Sequence, residues 1–345
     1  MGAASRNREI MGGFIPRTGT SRDGAPLSLS RTPPADLAPF VARFFVTIFD
    51  RPDDAVLEDF LLHETAYIRV PVIGQWSTMI EGAWQDYEGP MLFGAQQRRF
   101  PVRCVGPVVA AGFAIRPGGW FGFSDTPADA LADRLAPIAP GRWNEALRWA
   151  CDDVLDHEQT FARLHQVVRE HLVVRAAAPD MVSARFERIA RVDPTRPVTE
   201  VAAEFGISGR RLDRAVRQHF GHLPKTVMRR SRFLDMAAVM RGLAVPSADE
   251  LAELRFYDAS HLNREFREFV GMTPAQFRRT PTPLLTPGLE VRQQRKRADL
   301  APHAPAPWLA DGQPSTSLAD MPIGMDLLPR DVAAPADTRG AARHR

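Results

Sequence analysis

Two clusters of hydrogen-bonding side chains, with equivalent positions fifty residues apart, are the residues of this sequence best suited to bind a polyanion. The first contains Arg210, Arg211, Asp213, Arg214 and Arg217, and the second contains Ser260, His261, Asn263, Arg264 and Arg267. The planar fork of arginine can donate parallel hydrogen bonds to a guanine edge or a phosphate. Apolar residues recur between them at three- and four-residue intervals, which predicts two helices with these side chains on their outer faces.

The two clusters belong to an internal repeat, in which residues 208–227 align with residues 258–277. The identical pairs are Leu212 with Leu262, Arg214 with Arg264, Arg217 with Arg267, Gly221 with Gly271 and Pro224 with Pro274. In the first copy, Gly206 can take a left-handed φ and Ser208 can cap the helix that follows. A helix, a tight turn and a capped helix form the arrangement that lays the second helix in the DNA major groove.

Charge is divided unevenly along the chain, although its 345 residues have a formal net charge of only +3. Residues 185–280 contain 18 Lys or Arg against 12 Asp or Glu, whereas residues 36–184 contain 13 against 20. A basic segment joined to an acidic one is expected when only one of them meets a polyanion. The basic segment is the one that contains the repeat.

Residues 181–279 resemble the DNA-binding domain of the AraC/XylS family of transcription regulators. The resemblance is carried by Phe205-Gly206-Ile207-Ser208, Arg211-Leu212-Asp213-Arg214, Phe256-Tyr257-Asp258, Ser260-His261-Leu262 and Gly271-Met272-Thr273-Pro274. It implies seven helices, two of which are recognition helices that enter successive major grooves. By position, it implies contacts from Arg210, Asp213, Arg214, Ser260, His261, Asn263 and Arg264.

The sequence departs from the family pattern before the second recognition helix. Arg255 stands where the family usually has glycine, and Leu251 stands where a small residue is common. Arginine at a positive φ is strained. The paired change therefore favours a rebuilt turn with ordinary φ values.

Composition and periodicity predict an α+β chain of four segments. Residues 1–35 and 283–345 are interpreted as disordered tails, and the basic run at 292–297 as a solubilising feature. Residues 36–178 predict a β-rich domain that ends in helices, because short apolar runs give way to helical spacing near Asn144. Residues 182–282 predict the AraC-type domain, with one connecting helix over 225–243.

The β-rich segment resembles, more faintly, the sensor domain of one subgroup of these regulators. Phe113-Ala114-Ile115-Arg116-Pro117-Gly118-Gly119 and Ala130-Leu131-Ala132-Asp133-Arg134 carry this likeness. The resemblance implies a domain that holds a small molecule or mediates dimerisation. Trp76, Trp84, Trp120 and Phe121 could line an apolar pocket, but core or surface positions are the more common use of such residues.

The spacing of the histidines, carboxylates and cysteines does not indicate a metal site or a catalytic nucleophile. His63-Glu64 lacks the second histidine of a metalloprotease helix, and the histidines at 157, 165 and 171 fall on different helical faces. Cys104 and Cys151 cannot build a disulfide framework or a four-thiolate zinc site, and are interpreted as buried, inert thiols. We therefore expect no metal, no cofactor and no catalytic residue.

Two functions of different classes remain. The first is a sequence-specific transcription regulator, not an enzyme, that binds double-stranded DNA in the cytoplasm and has no membrane span. A small-molecule effector, RNA polymerase and a second copy of the chain are its candidate partners. The alternative keeps the DNA-binding module but makes the N-terminal half an enzyme acting on a small molecule or on nucleic acid. Titratable residues converging on one pocket would favour the alternative.

Overall fold

The computed structural model describes residues 29–49, 51–244 and 259–300. Within them, eight strands form one antiparallel sheet in the order β1-β2-β7-β4-β6-β8, with β3 paired to β7 and β5 to β4. The strands are β1 (Leu29–Arg31), β2 (Val41–Phe49), β3 (Val56–Leu61), β4 (Tyr67–Ile80), β5 (Ala83–Asp86), β6 (Met91–Phe93), β7 (Phe100–Ile115) and β8 (Leu135–Pro137). The predicted β-rich segment is confirmed, and its apolar runs at 66–70 and 108–115 lie in or directly beside β4 and β7. The prediction of a disordered tail over residues 1–35 is wrong for Leu29–Arg31, which form β1 and pair with β2.

The second half of β7 is buried on both faces, because its residues 108–113 form a continuous buried run whose side chains alternate between two cores. Val109 and Phe113 point into one core, which helices α1 (Arg142–Cys151) and α2 (His157–Val174) cover. Val108 and Ala110 point into the other, an aromatic core. Register shifts after Pro71 and Ile73 interrupt the pairing of β4 with β7, and such bulges bend a strand.

The C-terminal half is helical, as predicted. Its described helices are α3 (Met181–Val192), α4 (Val198–Glu204), α5 (Gly209–Phe220), α6 (Pro224–Met240), α7 (Ala259–Val270), α8 (Pro274–Arg279) and α9 (Thr286–Leu300). One apolar core contains residues of α3, α4, α5 and the start of α6. A second contains residues of α6, α7, α8 and α9, together with Phe60 and Leu62 of the N-terminal half. Helix α6 therefore joins two separately packed units, as expected for the helix predicted over 225–243.

Helix α9 corrects the prediction of a disordered tail from residue 283, for residues 286–300. Arg292 and Lys296 of the basic run are only 6% and 2% exposed. Arg292 pairs with Asp235 and Glu64, and the Lys296 ammonium lies 2.8 Å from the Asp235 carboxylate. Buried charges are tolerated when they are paired and hydrogen-bonded. The run is therefore buried because α6 and the loop before β4 supply carboxylates that composition alone does not reveal.

Some sequence predictions fall outside the described residues. They include Arg255, Leu251 and Asp258, so the rebuilt turn of the second unit stays a prediction. Of the helices that the structure describes, none combines the length and apolar character needed to cross a membrane.

Candidate nucleic-acid interface

Helix α5 presents the whole first cluster to solvent. Gly206 has a φ of +64°, and the Ser208 hydroxyl accepts a hydrogen bond from the Arg211 amide at 3.3 Å, so the predicted turn and cap are confirmed. Leu212 and Val216 are fully buried in the first unit's core. The exposed residues of the cluster are Arg210, Arg211, Asp213, Arg214 and Arg217.

Helix α7 presents only part of the second cluster. Ser260, Arg264 and Arg267 are exposed. His261 and Asn263 are half-buried and engaged within the helix: the Asn263 amide donates to the Ala259 carbonyl at 2.8 Å, and a His261 ring nitrogen lies 3.6 Å from the Glu265 carboxylate. Arg264 and Arg267 are therefore the cationic groups that α7 offers to a ligand.

A set of ionic and aromatic contacts fixes α7 against α6. The Arg229 guanidinium donates to Glu265 at 2.6 Å and also pairs with Glu268. Its hydrogen bonds and charge lower the pKa of Glu268. One turn further along α6, the Phe233 ring stacks on Phe269 with centroids 4.6 Å apart. The direction of the second recognition helix is thus set by α6, and Arg229 is a positioning residue rather than an exposed anchor.

The C-terminal end of α5 is docked on the N-terminal half. A His219 ring nitrogen lies 2.9 Å from the Pro117 carbonyl, and the Phe121 ring packs edge-on against His219. Arg217 Nε lies 3.8 Å from the Asp129 carboxylate. Pro117, Phe121 and Asp129 belong to two short 3-10 helices that follow β7. The sheet domain therefore contacts the first recognition helix directly, at one of its predicted DNA-binding residues.

His222, just beyond α5, is buried at the same contact. A ring nitrogen of His222 lies 3.2 Å from the Ala95 carbonyl. Burial, followed by the nearby charge of Arg230, lowers the pKa of His222 to about 4 against a smaller opposing effect of Asp133. His222 is therefore neutral at pH 7, and its protonation opposes the docked arrangement.

We expect His222→Gln to flatten the acid side of the stability profile. In the unfolded chain the histidine titrates near 6.5, so the unfolded state binds more protons between that pH and about 4. The stabilisation is complete above pH 6.5 and is lost as pH falls toward 4, by about 1–3 kcal/mol. Urea unfolding of both proteins between pH 4.5 and 7 measures it. His171, whose pKa is also lowered to about 4 by burial, is present in both proteins and cancels. If the free energy of unfolding depended on pH in the same way in both proteins, His222 would not be the group that is buried in its neutral form.

The remaining sequence candidates do not converge on one site. Trp76 and Trp120 are buried in different cores, Trp84 lies under Arg103, and Phe121 packs on His219, so they do not line one pocket. The cysteines are buried and unpaired as predicted, and burial raises both thiol pKa values to about 12. No group of three metal-binding side chains occurs within residues 29–49, 51–244 and 259–300.

Sequence reasoning missed several residues that shape the interface. Arg229, Glu265 and Glu268 hold α7, while Pro117 and Asp129 receive α5. The arginine and the carboxylates of the first group lie 36 and 39 residues apart in the chain. No helical spacing rule relates positions so distant. Only the repeat, which predicts that the two units pack on one helix, could have suggested where to search.

Two exposed, arginine-bearing helices on separate cores, joined by one helix and attached to a β-rich half, define a DNA-binding transcription regulator. Residues 201–280 match the family model described as a helix-turn-helix domain. No curated protein matches the chain.

Among solved structures, the chain is similar to ToxT from Vibrio cholerae and to the AraC-like transcriptional activator CuxR. An apo ToxT variant is 10% identical, with a TM-score of 0.41 over 68% of this chain and 96% of that one. ToxT bound to an unsaturated fatty acid is 9% identical, with a TM-score of 0.41 over 70% and 97%. CuxR is 11% identical, with a TM-score of 0.29 over 65% and 85%.

Proposed function

We propose that this regulator reads the major groove with α5 and α7, under the control of its β-rich half. The observation that carries the proposal is the division of each helix into a buried apolar face and an exposed cationic face. Leu212 and Val216 of α5, and Phe266 and Phe269 of α7, are at most 1% exposed. The base and phosphate contacts then come from Arg210, Arg211, Asp213, Arg214 and Arg217 on α5 and from Ser260, His261, Asn263, Arg264 and Arg267 on α7. Of these, Arg214 and Arg264 occupy equivalent positions in the repeat and are expected to contact base edges.

Control by the β-rich half is supported by its contact with α5. Because Pro117, Phe121 and Asp129 hold the end of the first recognition helix, a shift of the sheet domain changes how that helix is presented. A small-molecule effector in the β-rich half is the proposed source of such a shift. The proposal also includes RNA polymerase and a second copy of the chain as partners, and the cytoplasm as the place of action.

The alternative of an enzymatic N-terminal half is not favoured by a specific observation. The titratable groups of the sheet domain that line its cavity are two arginines, a histidine, Glu64, which pairs with Arg292, and a tyrosine with a strongly raised pKa caused mainly by burial. Such a tyrosine keeps its proton, so it is poorly suited to act as a base near pH 7. We therefore propose a regulatory and not a catalytic role for the β-rich half.

A comparison of two fragments tests the DNA-binding half. Residues 182–300 should fold and retard DNA in a salt-dependent way, because they retain α9 and its ion pairs with Asp235. Residues 182–282 should be less stable, since that fragment leaves Asp235 without Arg292 and Lys296. Circular dichroism and gel retardation at several salt concentrations measure both properties. A folded 182–300 fragment that ignores DNA at low salt would contradict the proposed function.

A further inference from the structure

A small cavity lies between the sheet and the helices of the DNA-binding half. Its volume is about 70 Å³. The sheet side includes Arg43 of β2, Tyr67 and Arg69 of β4, and the opposite side includes Leu234 of α6 and Leu289 of α9. The cavity is thus lined by the two halves of the protein together and lies apart from the two arginine clusters.

Arg69 is a buried cation without a carboxylate partner among the described residues. Arg69 is only 4% exposed, and its Nε and Nη1 atoms donate no hydrogen bond within that part of the chain. The rings of Trp76 and Tyr67 lie 5.1 and 5.3 Å from its guanidinium carbon. Cation–π contacts of this kind compensate only part of the cost of removing a guanidinium from water.

Arg43 adds a second uncompensated charge to the same cavity. Its buried Nη1 atom also lacks a hydrogen-bond partner within the described residues. Burial, followed by the like charges of Arg295 and Arg69, lowers the pKa of Arg43 to about 10. Arg295, in contrast, is balanced by Glu187 at 2.6 Å. Glu64, a carboxylate of the cavity lining, pairs with Arg292. A local excess of positive charge therefore remains on Arg43 and Arg69.

Neutral hydrogen-bonding groups face the same space. The Nε2 atom of His63 has no hydrogen-bond partner in the described residues, and the Tyr67 ring packs against the His63 ring at the same cavity. Burial, followed by the charges of Arg69 and Arg43, lowers the pKa of His63 well below its ordinary value, so the ring is neutral. Buried polar groups are nearly always paired in folded proteins. Unpaired N–H donors on the guanidiniums of Arg43 and Arg69, beside an unpaired ring nitrogen of His63, form a set that an oxyanion would satisfy.

We propose that this cavity binds a small oxyanion, a carboxylate or a phosphate, between the guanidiniums of Arg43 and Arg69. Guanidinium groups recognise both oxyanions through paired N–H donors, and the volume restricts the ligand to a few non-hydrogen atoms. The proposal names the class of effector for the regulatory half and rests on that part of the proposed function. Since Leu234 and Leu289 lie on α6 and α9, the ligand is placed where both halves of the protein would sense it.

Thermal unfolding of the full chain tests the site without DNA. The probes are sodium phosphate, sodium acetate and sodium succinate at millimolar concentration, compared with sodium chloride at the same ionic strength. At one hundred times its Kd, the matching anion should raise the melting temperature by about 5–10 °C. Comparison of the phosphate titration with the acetate and succinate titrations shows which of the two oxyanions the cavity binds. Oxyanions also stabilise proteins by exclusion from their surface. The decisive quantity is therefore the part of the rise in melting temperature that is lost when Arg43 or Arg69 is replaced.

Arg69→Met and Arg43→Met should each abolish the anion-dependent rise. Arg69→Met should also melt higher than the unsubstituted protein in chloride, because a buried unpaired charge is removed. Arg103→Met is the matched control: Arg103 lies in the same sheet over the Trp84 ring but pairs with Glu58 outside the cavity, so the rise should persist.

The results that would overturn the proposal are equally specific. They are the absence of any anion-dependent rise in the unsubstituted protein, or a rise that persists in both cavity variants. If Arg69→Met fails to fold, Arg43→Met and calorimetric titration of the unsubstituted protein decide. If the unsubstituted protein showed the arginine-dependent rise but did not bind DNA, the proposed function would be contradicted and the anion site would still be supported.

Discussion

Replacing Asp235 by asparagine should destabilise the full chain by about 3–5 kcal/mol, the loss that follows when one partner of a buried ion pair is removed. Asp235 is 0% exposed on α6 and pairs with Arg292 and Lys296 of α9. Asparagine keeps the size of the side chain but removes the carboxylate that pairs with Lys296 and that Arg292 shares with Glu64. For a cooperative unit of this size, the melting temperature should fall by roughly 6–20 °C.

The pH dependence of this effect has a defined sign. Burial alone would raise the pKa of Asp235, but Arg292 and Lys296 hold it below its ordinary value. A carboxylate with a lowered pKa stabilises the folded state above its unfolded pKa near 3.9, and this stabilisation is lost as the pH falls further. The difference between the two proteins should therefore be largest near neutral pH and shrink below pH 4.

An exposed ion pair provides the control for Asp235. Glu58 pairs with Arg103 at 2.6 Å, but its side chain is 56% exposed. Glu58→Gln should change stability by at most about 1 kcal/mol. Calorimetric melts of the three proteins at pH 7 make the comparison. Equal losses from Asp235→Asn and Glu58→Gln would mean that α9 does not dock on α6 as the structure shows.

The parts of this protein that the sequence predicts are those governed by local rules. Gly206 and Ser208 form the predicted turn and cap because backbone freedom and capping depend on neighbouring residues alone. Leu212 and Val216 are buried because helical spacing determines which side of α5 they occupy. The repeat extends this reasoning to α7, where Phe266 and Phe269 are likewise buried.

The parts that the sequence does not predict depend on partners distant in the chain. Arg292 looks like part of a solvated basic run until Glu64, 228 residues earlier, is placed beside it. Arg69 is the opposite case, a buried charge that has no carboxylate partner among the described residues. The sequence around Arg69 does not indicate that this strand position is buried without such a partner. Composition measures charge but not pairing, and pairing decides whether a charged residue can be buried.

Arg214→Ala and Arg264→Ala should each weaken binding to the preferred DNA site by about 1–3 kcal/mol, the discrimination that one good arginine–guanine contact provides. Both residues are exposed on the outer faces of α5 and α7, at equivalent positions of the repeat. Their loss should relax base preference at separate positions of the site, because each helix reads its own part of the groove. Selection of bound fragments from random DNA identifies the site and its spacing.

The choice of control decides what these substitutions mean. Arg229→Ala should lower affinity through the position of α7 and reduce stability, since Arg229 holds Glu265 and Glu268. Arg163→Ala removes the same charge from α2, where Arg163 lies over the Trp149 ring, and should leave both affinity and base preference unchanged. Competition binding against single-base variants of the selected site, at constant salt, separates the effects. If Arg214→Ala and Arg264→Ala weakened binding equally on every sequence, α5 and α7 would anchor the protein to phosphates and would not read bases.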